Sequence, residues 1–527
     1  MPQQGKIWWA EAPDKRRPVL VVTRSDAVPV LTNAAGTHGR RDVRLFWLGR
    51  AWRLAPAGAG RLLEHLDQRT PMPARRALRL LAPLPLIAGA LVVMTALPAA
   101  AATITVTTTA SELNADGDCS LEEAIDAANT DAAVDACAAG SGADVIVIPA
   151  GTYTPAATLS VTDVDGVLLA GASATTTISG DDDHRILDAV AGDLTIQSLS
   201  LVDGFAGPLL ADGGGAIRTA ATGTLTIESS LLADNLASQG GAVQSGGGNL
   251  NVFDSTMVGN LAQFNELNGN GGAINMSGGE LNVRRSTFTG NTARNAGGAI
   301  LTGQDAEIER STFNDNEGTF GGAVYTNDAI LIANSTFDGN ASTWDQNGIG
   351  ATIEGALFTN DVQLVNLTVV DSTVGAGIDL PEAATVTNSI IAGNADGDCE
   401  RAVTSLGGNV FSDESCGAGP DDAIGNPELG PLADNGGTTL TRLPGVGSIA
   451  IDGGVDEGCP EIDQRGVARP ADGDADGAPV CDSGAVETAE PTPVDPGDPD
   501  DPDDPATPVT PGAPRAQAVR QTPTFVG

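Results

Sequence analysis

Lysine is missing from almost the whole chain: Lys6 and Lys15 are the only two among 527 residues. Histidine is nearly as scarce, with His184 the only one beyond residue 65. A Ser-His-Asp or Cys-His triad in the main body would therefore have to use His184, which sits in GDDDHR as an exposed acidic turn. A His-rich zinc site is excluded, and the six cysteines contain no C-x-x-C pair. Aromatic residues make up only 3%, too few for a helical bundle with a large aromatic core. Positive charge is short as well. Residues 80–527 carry 12 Arg against 62 Asp+Glu, a net of −50, which repels nucleic acid and anionic lipid. What the chain has in excess is glycine (67) and proline (31), the composition of many short turns.

The first hundred residues read as an address. Arg75, Arg76 and Arg79 precede the apolar run Leu80–Leu97, and Ala100 and Ala102 form an A-x-A cleavage pattern. Residues 72–102 are thus expected to be a secretory signal peptide, with no stable membrane span in the mature chain. Met72 stands where a start is expected. Residues 1–71 hold four of the five tryptophans and read as a mis-assigned or disordered extension. Cys119, Cys137, Cys399, Cys416, Cys459 and Cys481 all follow the signal, as exported disulfides would. Six cysteines allow 15 pairings; separations of 18, 17 and 22 favour local pairs in chain order.

Between residues 213 and 395 one pattern recurs. GGA followed by Ile or Val stands at 214–217, 240–243, 271–274, 297–300 and 321–324. A second phrase ends at Asn235, Asn260, Asn291, Asn316 and Asn340, as in RSTFTGN and NSTFDGN. Short period-two alternations such as Leu281/Val283 and Ile330/Ile332 precede these phrases and predict strands. A unit of about 25 residues that cannot bury its apolar face alone predicts a stacked β-solenoid. Residues 144–400 should then make roughly ten coils. Phe288, Phe313 and Phe337 would stack inside, and the five asparagines would form a ladder.

These repeats resemble those of polymorphic outer-membrane proteins, which are surface β-helix adhesins. NADGDCSLEEAIDAA at 114–128 is similar to the CSLREA-type domain of exported β-helix proteins, with Glu122 in place of the family's Arg. NPELGPLADNGGTTLTRLP, DQRG and CDSGAVE within 426–487 resemble the choice-of-anchor Q domain. The resemblance implies an all-β, right-handed parallel β-helix of the pectin-lyase-like type. Residues 103–143 would form its N-terminal cap and 144–425 the coils. Residues 426–487 would form the terminal region and 488–527 a Pro/Asp-rich disordered tail. Ser120-Leu-Glu-Glu123 predicts a capping box opening a short helix over the first coil.

Three sets of residues are candidates for function. The residue four after each ladder asparagine is Gln239, Phe264, Asn295, Phe320 or Trp344. Phe264, Phe320 and Trp344 would give an aromatic strip able to stack on sugar rings or on a partner protein; the alternative is turn packing. The residue before each S-T gives Ser229, Asp254, Arg285, Arg310 and Asn334, which a lyase could use, or which could be an ion-pair ladder. Asp472, Asp474 and Asp476 open a calcium-type loop, yet position twelve is Ser483 rather than the glutamate of an EF-hand. No cofactor is required beyond that calcium candidate. The expectation is a monomeric, secreted or cell-surface protein that binds an extracellular glycan or surface protein without catalysis. The alternative is a polysaccharide lyase or glycoside hydrolase.

Overall fold

The computed structural model describes residues 101–489, apart from 174, 208–212, 220–222, 264–268, 344–349 and 357–360. It also describes four short strands nearer the N-terminus. The chain divides into two compact units, 1–93 and 94–527. In the first, Ile7–Glu11 pairs antiparallel with Arg16–Leu20, and Val43–Leu48 with Ala51–Pro56. The tryptophan-rich segments are strong strand formers, and hairpins this short are only marginally stable alone.

In the second unit every pairing between named strands is parallel, in sheets of 9, 12, 12 and 5 strands. Between Leu159–Val161 and Ala376–Asp379 each coil gives one strand to each of the three long sheets; the 9-stranded sheet is the shortest of the three. One full coil runs Ile300–Thr302 (β1), Ala306–Glu309 (β2), Thr312–Asn314 (β3) and Glu317–Phe320 (β4). The next coil begins at Val324–Thr326 and pairs with β1 in register. Strands of one sheet are joined through the other sheets, with the right-handed crossover that twisted strands require. The fold is a right-handed parallel β-helix with one N-terminal helix. From Asp144–Ile148 to Thr385–Thr387 the β2 sheet contains ten strands, matching the number of coils expected.

The corners explain the repeated phrases. Residues before the S-T step adopt positive φ: Ser229 49°, Asp254 49°, Arg285 49°, Arg310 52° and Asn334 46°. The next serine is buried and catches the preceding coil: Ser286 N donates to Ser311 Oγ at 3.2 Å, and Ser311 N to Ser335 Oγ at 3.1 Å. At the following corner Asn260 Nδ2 donates to Asn291 Oδ1 (2.9 Å) and to Leu232 O (3.0 Å). Asn291 and Asn316 repeat that geometry with Asn316 and Asn340. All five ladder amides are at most 1% exposed, so each bond satisfies groups that water cannot reach. Between the corners Phe288, Phe313 and Phe337 stack at 4.8 and 4.6 Å with rings nearly parallel.

The N-terminal end is closed. Helix Leu121–Thr130 (α1) starts at a complete Ser120/Glu123 capping box and buries Leu121, Ala124, Ile125 and Ala128. It packs on the strands Thr103–Thr105, Asp144–Ile148 and Leu159–Val161. Disulfides join Cys119–Cys137, Cys399–Cys416 and Cys459–Cys481. Residues 426–487 form no long strand. They fold back along the positive-φ corner, where Arg310 Nε donates to Gln464 O and Asn366 Nδ2 to Asp482 O. Gln464, fully buried, accepts from Thr336 Oγ1 at 2.7 Å and donates to Thr312 Oγ1 at 2.9 Å. An ion pair with both side chains at 0% exposure, Arg469–Glu487 at 2.7 Å, lies within this segment.

Candidate functional site

The β1 sheet starts where each GGA corner ends. Gly297 shows why glycine is needed there: φ is 69°, and a Cβ would lie 2.2 Å from Ile300 O. Alternation then sends Ile217, Val243, Ile274, Ile300 and Val324 inward, all fully buried. The residues that follow on the other side of the sheet stand in strict register: Arg218, Gln244, Asn275, Leu301, Tyr325, Glu354 and Asp379. Arg218, Gln244, Leu301 and Tyr325 are partly exposed, whereas Asn275, Glu354 and Asp379 are covered by their neighbours. The segments that lead into the corners, β4 among them, run along one side of this row and carry Gln239, Asn295 and Phe320.

The middle of this face is uncharged and tied together by amides. Asn275 Nδ2 donates to Gln239 Oε1 (2.8 Å) and to Gln244 Oε1 (2.7 Å). Asn295 Nδ2 donates to Asn270 Oδ1 at 2.7 Å. Phe320 meets Tyr325 edge-on, with ring centroids 6.4 Å apart. Both rings remain partly exposed. Amides, two aromatic rings and Leu301 on a ridged surface suit the hydroxyls and apolar faces of a neutral sugar.

The face is charged at its ends. Arg218 pairs with Asp188, and Asp379 accepts from Arg401 Nε at 2.6 Å. Glu354, 7% exposed, accepts from Gly321 N at 2.9 Å. Burial, reinforced by the charge of Asp379, pushes its carboxyl up to about 7. Tyr325 is pushed up too, by burial and by the charges of Glu354 and Asp379.

Of the three sequence-predicted aromatics, the structure places Phe320 on this face. Phe264 and Trp344 lie outside the described residues. Tyr325, Gln244, Asn275 and Glu354 were not anticipated. The signal was available for the first three, because the second residue after each GGA alanine must point outward.

The Asp254/Arg285/Arg310 column does not form one site. Arg285 Nε and Nη2 clamp Asp254 at 2.7 and 2.6 Å, whereas Arg310 turns to Gln464 of the terminal region. Both arginines are thus occupied structurally. The ring nitrogens of His184 are buried with no hydrogen-bond partner, so no serine or cysteine is aligned on it.

The calcium candidate needs correcting. Asp472 and Asp474 converge with Asp452, one oxygen from each lying within 4.8 Å of the others. Asp476 is outside this group, because its Oδ1 folds back to accept from Ala478 N at 2.8 Å. Asp452 already accepts from Asp474 N at 2.8 Å and Gly473 N at 3.1 Å, and burial raises its carboxyl. A hollow of about 280 Å³ on the outer β2 face is lined by Glu280, Asn282, Asp305, Glu307, Leu331 and Gln363. Its rim is acidic, with Arg284 bridging Glu307 and Glu309, and it offers no aromatic ring.

Residues 285–303 match the family model of the Chlamydia polymorphic membrane protein repeat. No curated protein matches the chain. Among solved structures, a mutant of the PL6 family alginate lyase AlyGC is similar at 17% identity and a TM-score of 0.28. That match covers 66% of this chain and 39% of the lyase chain. A second structure of AlyGC is similar at 12% identity and the same TM-score, covering 57% of this chain and 52% of that one. The chain therefore spans about two-fifths to one-half of the solved chains it matches.

Proposed function

We propose that the mature chain is a secreted or cell-surface β-helix protein that recognises a glycan along the outer β1 face without cleaving it. The observation that carries this reading is the uncharged, partly exposed row Gln244, Leu301 and Tyr325 flanked by Phe320, with buried Asn275 tying the amides together behind it. Surface location draws on the repeat named for Chlamydia membrane proteins, on the three disulfides and on the signal-like segment 72–102. Among the described residues no helix is long and apolar enough to cross a membrane. Recognition rather than turnover follows from the chemistry on offer. Arg285 is neutralised by Asp254, and Arg310 is spent on Gln464. A net charge of −50 over residues 80–527 also opposes polyanionic substrates. A cation bound by Asp452, Asp472 and Asp474 would relieve the repulsion among them and stiffen the terminal region, away from the β1 face.

The test is a glycan array run beside a reducing-sugar and unsaturated-product assay on purified residues 103–527. Binding to neutral glycans with no product is expected. Cleavage that Arg285→Gln abolishes would overturn the reading.

A further inference from the structure

In a chain this acidic an unspent cation is an anomaly. Of the ten arginines in residues 101–489, seven pair with carboxylates, and Arg185 and Arg310 donate to main-chain carbonyls. Arg294 does neither: it is exposed, and among the described residues its guanidinium has no acceptor.

The backbone is built to present it. Arg294 lies on the strand Thr292–Ala296 of the 5-stranded sheet, which pairs with β4. Ala293 stands opposite Gly318 and Ala296 opposite Phe320, so Arg294 and Asn295 together face the single residue Thr319. The extra residue is a β-bulge, a device that bends a strand and re-aims a side chain. Both neighbouring coils hold it in place. Thr319 Oγ1 donates to Arg294 O at 2.7 Å, and Asn295 N donates to Gly269 O of the preceding coil at 2.9 Å. Gly269 also leaves room, because a Cβ there would lie 2.9 Å from that of Arg294. The main chain is thus fixed while the side chain stays free.

Arg294 directly precedes Asn295, and its strand ends at Ala296 in register with Phe320, so the cation stands at the rim of the amide and aromatic row. A guanidinium presents a planar fork of donors that matches two oxygens of a carboxylate or of a sulfate ester. One such fork serves one anionic group. Exposed Glu317, in register with Thr292 two residues back, repels a second, and so does the net charge of −50 over residues 80–527.

We infer that Arg294 anchors a single anionic substituent, a carboxylate or a sulfate ester, on an otherwise neutral glycan lying along the β1 face. The inference rests on the recognition reading and adds its selectivity: one acidic group is favoured over none, and over a run of them.

The test uses residues 103–527 and an array of matched glycans. Each neutral chain stands beside the same chain bearing one terminal sialic acid and the same chain bearing one sulfate ester, with oligogalacturonates as the polyanions. Wild type should bind a singly acidic member about fivefold tighter than its neutral parent, and the arm that gains identifies the anion. The preference should fade as salt is raised to about 0.5 M, and oligogalacturonates should bind no better than the neutral chains. Arg294→Gln, checked for an intact fold by circular dichroism, should bind the members of a pair alike. Arg294→Lys, which keeps the charge without the fork, should retain part of the preference. Neutral and singly acidic chains bound alike by wild type, or a preference that survives Arg294→Gln, would overturn the role of Arg294 and leave the recognition reading standing. Binding to no member of the array, neutral or acidic, would sink the recognition reading and this inference with it.

Discussion

The coils from 225 to 342 and the terminal segment 426–487 are stabilised by opposite means. In the coils every device is repeated: one asparagine, one serine and one positive-φ corner per turn, with the asparagine and the serine each bonded to its copy in the next coil. The terminal segment repeats nothing. It relies on single contacts made once, such as Gln464 among Thr312, Thr336 and Thr439, the Cys459–Cys481 bridge and the Arg469–Glu487 pair. A repeated device shares its load among neighbours, whereas a unique one fails alone. Damage should therefore be graded and local in the coils, and larger per residue in the terminal segment.

The largest effect is expected from Arg469→Ala. It leaves Glu487 buried without its cation and should cost about 3–5 kcal/mol in a denaturant titration. Loss of amide protection should concentrate in 450–487. An effect under about 1 kcal/mol would mean that the terminal segment is not held by this pair. Next comes Asn316→Leu, which orphans the Asn291 amide and the Phe288 carbonyl at a fully buried corner. A loss on the order of 1–3 kcal/mol is expected. An unchanged midpoint would refute the ladder's role. The smallest effect belongs to Arg285→Gln. The Asp254–Arg285 pair is about one-third exposed, so removing it should cost about 0–1 kcal/mol and leave ligand binding untouched.

The same contrast explains what could be read in the sequence. Repetition exposes register: once GGA and the ladder asparagines align, the sheets, the phenylalanine stack and the capping helix all follow from period and burial. The serine ladder was visible as the S-T step but not understood, because a serine beside a threonine carries no sign of which hydroxyl turns inward. In the terminal segment Arg310 and Gln464 are 154 residues apart, and no local pattern links them. Asp452 was missed for the same reason: it is brought to Asp472 and Asp474 by the chain's return, not by loop spacing. Glu354 was hidden differently: its neighbours in sequence are ordinary, and its burial against Gly321 is set by the fold.

Recognition by the β1 face can be separated from recognition by any other face of the solenoid. The direct measurement compares glycan affinity of two double variants of residues 103–527, Phe320→Ala/Tyr325→Ala on the β1 face and Asp254→Asn/Arg285→Gln at the opposite corner of the coil. Each is first checked for an intact fold by circular dichroism. The first pair should weaken binding at least about tenfold, equivalent to about 1.4 kcal/mol, and the second should leave it unchanged. Binding that survives loss of both rings, or that disappears with the Asp254–Arg285 pair, would contradict the assignment.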